Sequence, residues 1–125
     1  MTDTSDRDAY GPVLSALADK SGEDIVVMDM EGEGALADAF ILTTGSSEVH
    51  MRTLMDAAEE ALERGGRSCR REGDASPNWR LLDAGDVVVH VFSHKGRELY
   101  KIERLLEDLK IFRLEQAQQE GRSSD

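Results

Sequence analysis

Apolar positions along the chain follow two different periods. Over "DIVVMDM" (residues 24–30) and "FILTT" (40–44) they form nearly unbroken, partly β-branched runs of strand length, the pattern of strands covered on both faces. Elsewhere the spacing is helical. Gly11-Pro12 can open a helix, because Pro is tolerated at the first helical position; Val13, Leu14, Leu17 and Ala18 give that helix one apolar face, and Ser21-Gly22 ends it. A second helix follows Gly45-Ser46-Ser47, whose hydroxyls can cap it. It sets Met51, Leu54, Met55, Ala58 and Leu62 at i, i+3, i+4, i+7 and i+11 before stopping at Gly65-Gly66. The Gly-punctuated stretch "EGEGALADA" (31–39) is a connection with room for one helical turn.

The second half alternates differently. "SCRRE" (68–72) reads as a polar edge strand and "GDASPN" as a turn; "WRLLD" (79–83) and "DVVVHVF" (86–92) are strands joined through Ala84-Gly85 as an antiparallel hairpin. Alternation puts Asp86, Val88, His90 and Phe92 on one face and Val87, Val89 and Val91 on the other; Trp79, Leu81 and Asp83 share a face of the preceding strand. Gly96 precedes a final helix with an apolar stripe of Leu99, Ile102, Leu105, Leu106 and Leu109, leaving Arg97, Tyr100 and Arg104 roughly opposite. The helical crossover after "FILTT" implies a parallel, right-handed connection, and the later strands pair as hairpins. The fold class is α/β (α+β), a mixed, mostly five-stranded sheet with helices on its faces. Residues 1–9 and the polar tail from 113 read as disordered or frayed, around a single domain at 10–112.

Composition narrows the partners. With 125 residues, 39% of them apolar, the chain can hold one core without staples. The lone Cys69 excludes an intrachain disulfide and a cysteine-rich metal site, and is either a minor packing residue or a nucleophile. The formal charge of −11 repels phosphate backbones, so direct nucleic-acid binding is disfavoured. The acidity suits either a basic partner protein or general solubility. No apolar run approaches the roughly 20 residues of a bilayer span, and the polar N-terminus lacks the apolar core of a secretory signal; a cytoplasmic location is expected.

The candidate chemistry centres on residues 79–100. Asp83 and Asp86 flank a Gly-containing turn, where Asp commonly bonds backbone amides, but two close carboxylates can also hold Mg²⁺. With "TTGSS" as a phosphate cradle, that pair would make a nucleotidyltransferase-like enzyme using Mg-nucleotide, although the paired acids that should follow the Gly-Ser helix closely are missing. His90 is a satisfied core histidine or a general base. Trp79 and an outward Tyr100 flanked by arginines have the composition of a protein-binding hot spot. A third reading is an acidic, chaperone-like adaptor for basic proteins. No Walker-type loop, GxGxxG, HExxH or nucleophile elbow occurs.

Taken together, "DIVVMDM", "LADAFILTTGSSEVHMRTLMDAAEEAL", "EG", "WRLLDAGDVVVHVFS" and "GRELYKIERLLED" resemble, in order and spacing over about residues 8–110, the ribosomal silencing factor family (RsfS, or Iojap). The resemblance implies a nucleotidyltransferase-like topology without its catalytic motif, hence no enzyme and no cofactor. It implies a translational repressor that binds the large ribosomal subunit through ribosomal protein L-fourteen and blocks small-subunit association when nutrients are scarce, with a homodimer in the free state. The family pattern falls on Asp38, Phe40, Gly45, Ser47, Trp79, Leu82, Asp83, Gly85, Asp86, His90, Phe92, Arg97, Tyr100 and Glu103. Of these, Trp79, Leu82, Asp83, Asp86, His90, Arg97 and Tyr100 are the expected partner-binding residues. Ala39 stands where the family usually has an aromatic, and Leu106 where it often has Trp.

Overall fold

The computed structural model describes residues 2–29 and 38–101. Along them run α1 (Thr2–Asp19), β1 (Glu23–Asp29), β2 (Ala39–Gly45), α2 (Glu48–Arg64), β3 (Arg70–Glu72), β4 (Trp79–Asp83), β5 (Val87–Ser93) and α3 (His94–Tyr100), the order expected from the pattern. Most of "EGEGALADA" and all of the chain beyond Lys101, with Ile102, Glu103, Arg104, Leu105, Leu106 and Leu109, lie outside the described residues.

The strands form one mixed sheet in the order β1-β2-β5-β4-β3. β2 and β5 run parallel at its centre, from Ala39 beside Val87 to Gly45 beside Ser93, and the other neighbours are antiparallel. The chain between them holds α2 and the β3–β4 hairpin, which is ample for the crossover that a parallel pair requires. Alternation then sorts the side chains. Ala39, Ile41, Val87, Val89, Val91 and Leu82 face α1 and α2, meeting Val13, Leu17, Met51, Leu54, Met55, Ala58 and Leu62 in the main core. Each fully buried Leu, Ile or Val there contributes about 1.5–3 kcal/mol. Phe40, Leu42 and Phe92 form a second cluster on the other face, with Val26, Met28, Trp79 and Val88 packed against them.

Two elements differ from expectation. β1 is not covered on both faces, since its Val27 is 43% exposed, and among the described residues it is an edge strand with β2 as its one neighbour. A continuous apolar run carries the same letters in either place. α1 begins at Thr2 rather than at Gly11-Pro12, so that Pro12 sits inside the helix. An interior Pro costs about 3 kcal/mol through its missing N–H and its ring. Gly11 relieves part of this, because it has no Cβ to meet the proline ring, and burial of Tyr10 and Val13 on either side holds the helix on course.

His50 joins the two helices. In the neutral tautomer its Nε2–H donates to the Lys20 carbonyl at 2.8 Å, just after α1, while its Nδ1 accepts from the Ser46 amide at 2.8 Å, just before α2. Two neutral hydrogen bonds of this kind are worth about 1 kcal/mol each. His50→Ala is therefore expected to lower stability by about 1–2 kcal/mol in urea titration, with α2 still formed because Ser47 Oγ continues to accept the amide of residue 50 as its N-cap.

Candidate functional site

Register brings the aromatic residues of the second half together. Trp79 lies opposite Phe92 and Leu81 opposite His90 on the antiparallel β4–β5 pair. The Trp79 ring sits 5.4 Å from Phe92 and 5.9 Å from His90, and His90 is 4.9 Å from Phe40. From α3, Tyr100 tilts onto the outer side of Trp79 at 5.0 Å and keeps 47% of its surface in solvent. The group thus grades from buried Phe40, Phe92 and His90 through half-buried Trp79 to exposed Tyr100. Trp79 Nε1–H donates to His90 Nδ1 at 3.1 Å. Burial pushes the His90 imidazole down to about 4, so the ring is neutral near pH 7.

A short helix places Tyr100. Ser93 is its N-cap: the Oγ accepts from the Gly96 amide and donates to Asn78 Oδ1, both at 2.9 Å, while the Ser93 amide donates to the Asn78 carbonyl at 3.1 Å. Gly96 passes so close to Asn78 that a Cβ there would fall 2.9 Å from the Asn78 carbonyl carbon, and nearer still to its oxygen. Lys101, in the left-handed conformation, ends the helix. Arg97 turns inward instead of sharing an outer face with Tyr100: its guanidinium donates to Thr44 Oγ1 and to the Asp24 carbonyl, each at 2.9 Å, and lies 6.0 Å from the Phe92 ring centroid. Leu99 departs from the expected inward stripe as well, being 61% exposed. In this seven-residue helix Gly96 is the buried position, and helical spacing by itself does not record which face of so short a helix meets the sheet.

Of the expected binding residues, then, Trp79, His90, Arg97 and Tyr100 meet in one corner, where Arg97 joins through Phe92. Leu82 does not; it is fully buried on the opposite face, among the helices. Asp83 and Asp86 stand at the far end of the hairpin, about 13 Å along the strand from Trp79. Each acid has a partner of its own. Asp83 accepts from the Gly85 amide at 2.9 Å, and Asp86 takes a bidentate pair from Arg67 at 2.8 and 2.9 Å that holds its carboxyl below the usual range. The Asp86 carbonyl also accepts from the Asp38 amide at 2.8 Å. Among the described residues no group of three His, Cys, Asp or Glu is placed to hold a metal ion. The start of α2, the candidate phosphate cradle, has its Ser46 amide bonded to His50. Burial pushes the Cys69 thiol up, away from the thiolate that a nucleophile needs.

Sequence reasoning missed Thr44, Asn78, Ser93 and Gly96, which build the corner without standing at its surface. A Ser three residues before a Gly is a readable cap signal; the Asn78–Gly96 approach has no local signal at all.

A mixed sheet with two helices on one face and an aromatic corner capped by a short helix on the other defines a small α+β domain with solved counterparts. The crystal structure of a Chromobacterium violaceum protein is similar to it with a TM-score of 0.74 and 34% identity, covering 79% of this chain and 83% of that one. The family profile described as "Ribosomal silencing factor during starvation" matches residues 3–125. A Halalkalibacterium halodurans protein named "Ribosomal silencing factor RsfS" is 32% identical over 112 residues, 89% of this chain and 96% of its own length. A Bacillus subtilis protein of the same name is 38% identical over 95 residues, 75% of this chain and 80% of its own. The chain belongs to the ribosomal silencing factor family. Among the described residues no helix is long and apolar enough to cross a membrane.

Proposed function

We propose that the protein silences ribosomes without catalysis, by docking in the cytoplasm on the large subunit through ribosomal protein L-fourteen and blocking small-subunit association when nutrients are limiting. One observation carries the reading: a half-exposed Tyr100 is tilted onto Trp79, whose indole N–H is itself bonded to the buried His90. An aromatic pair with one wet side and a rigid backing loses little conformational freedom when a partner covers it, which is the property of a binding hot spot. The chain's charge of −11 complements a basic protein patch and repels the surrounding RNA, favouring encounter and orientation more than affinity. In the free state the protein is a homodimer, as the family resemblance implies.

Sedimentation with isolated large subunits, small subunits and joined ribosomes tests the reading. Co-sedimentation with large subunits alone, and inhibited joining, is the expected result. Trp79→Ala and Tyr100→Ala should each weaken large-subunit binding by about 1–3 kcal/mol, roughly 5- to 150-fold. Wild-type affinity in both variants, with circular dichroism unchanged, would overturn the placement of the docking surface.

A further inference from the structure

His90 is a poor choice for stability alone. An indole N–H can only donate, so its bond to His90 Nδ1 leaves that nitrogen bare and puts the imidazole proton on Nε2. That Nε2 is buried and, among the described residues, has no hydrogen-bond partner. A buried donor left without an acceptor costs at least as much as one neutral hydrogen bond such as Trp79's returns. The surroundings are otherwise apolar or aromatic: Phe40 and Leu42 on β2, Trp79 and Leu81 on β4, Phe92 on the same strand. A Leu would suit the site better on packing grounds. At 5% exposure His90 is also too buried to touch a partner directly.

What the imidazole does supply is direction. The Trp79 ring is stacked against Phe92 and meets the tilted Tyr100 ring, and ring contacts alone leave an indole free to slide or flip. A single acceptor at Nδ1 removes that freedom. We propose that His90 is a positioning residue that locks the Trp79 indole in the one orientation able to back Tyr100, so that the aromatic pair is preformed before a partner arrives. This rests on the docking role proposed for Trp79 and Tyr100.

Because Trp79 is the only tryptophan, the chain has one indole N–H, and its NMR signal reports the bond alone. Long-range ¹H–¹⁵N spectra of the wild-type protein should show His90 with Nε2 protonated and Nδ1 bare. In His90→Leu the indole signal should move upfield, away from its hydrogen-bonded position. In His90→Asn, whose Oδ1 occupies the place of Nδ1, it should stay near wild type. Large-subunit binding should fall about 10-fold in His90→Leu and be largely restored in His90→Asn, although His90→Leu is no less stable.

A proton on Nδ1, or an indole signal in His90→Leu at the wild-type position, overturns the inference whatever the binding data show. So does a His90→Asn that binds as weakly as His90→Leu while its indole stays bonded, or a His90→Leu that binds like wild type while Trp79→Ala does not. If Trp79→Ala itself binds like wild type, the docking reading fails instead, and the two NMR measurements still decide whether His90 orients the indole.

Discussion

Gly96→Ala, the addition of one methyl group, is expected to destabilise the protein by about 3 kcal/mol and to weaken large-subunit binding at least 10-fold. The new Cβ would lie 2.9 Å from the carbonyl carbon of Asn78 and 3.1 Å from its Cβ, with the carbonyl oxygen closer again. The two nearest of these atoms are backbone, just before β4, and the Cβ is fixed to it, so no rotamer change relieves the clash; α3 or the Ser76–Asn78 turn must move. Movement of α3 breaks the Ser93–Gly96 cap, draws Arg97 away from Thr44 and Asp24, and lifts Tyr100 off Trp79. Urea titration and co-sedimentation read the two losses separately. The neighbouring Lys95→Ala, at an exposed position of the same turn, should stay within about 0.5 kcal/mol of wild type. Equal stability and unchanged Trp79 emission in Gly96→Ala would show that the approach to Asn78 does not constrain the corner.

The second large effect is on acid stability. The native imidazole of His90 is held at about 4 by burial, against an ordinary 6.5 once unfolded. Between those values the unfolded chain takes up a proton that the native state refuses, so stability falls as pH drops from about 6.5 to about 4 and is unaffected by this group above that window. The full difference amounts to about 3 kcal/mol. Asp86 acts in a lower window: its carboxyl is held down by Arg67, and the stability that it adds is lost only below the ordinary carboxylate value of 3.8. Urea titrations at pH 7 and pH 4.5 should therefore show wild type losing about 2–3 kcal/mol more than His90→Leu. Equal losses in the two proteins would mean that His90 protonates in the folded state as freely as in the unfolded one.

Much of this architecture is legible in the letters because side-chain alternation and helical spacing follow burial directly. The five buried positions of α2 named from its period are all in the core, and "DVVVHVF" divides into Val87, Val89 and Val91 against Phe92 and Val88 as its pleat requires. What stayed hidden depends on neighbours. β1 reads as a covered strand because an apolar run does not record which of its two faces another element packs against. Pro12 reads as a helix start because the burial of Tyr10, which carries the helix past it, is tertiary. The corner was half visible: Trp79, His90 and Tyr100 stand out as unusual residues, but the bond that ties Trp79 to His90 crosses between strands, and the inward turn of Arg97 follows from where Thr44 and Asp24 happen to lie. Leu82, matched by family pattern, turned out to face the helices.

The parallel pair at the centre of the sheet sets the order in which the molecule can assemble. Ala39 meets Val87 and Gly45 meets Ser93, so the two innermost strands are separated in the chain by a helix and a hairpin that can both form earlier from local contacts. Closing so distant a contact is slow relative to local pairing. During synthesis, β2 can pair early with β1 along one edge, but its other edge waits for β5 until the chain has been extended through Ser93, and the corner built from Thr44, Trp79, His90, Arg97 and Tyr100 completes after that. With that corner as the proposed docking surface, a nascent chain has no finished aromatic face to offer the ribosome that is making it, and docking is expected only once the last of these residues has emerged and the sheet has closed.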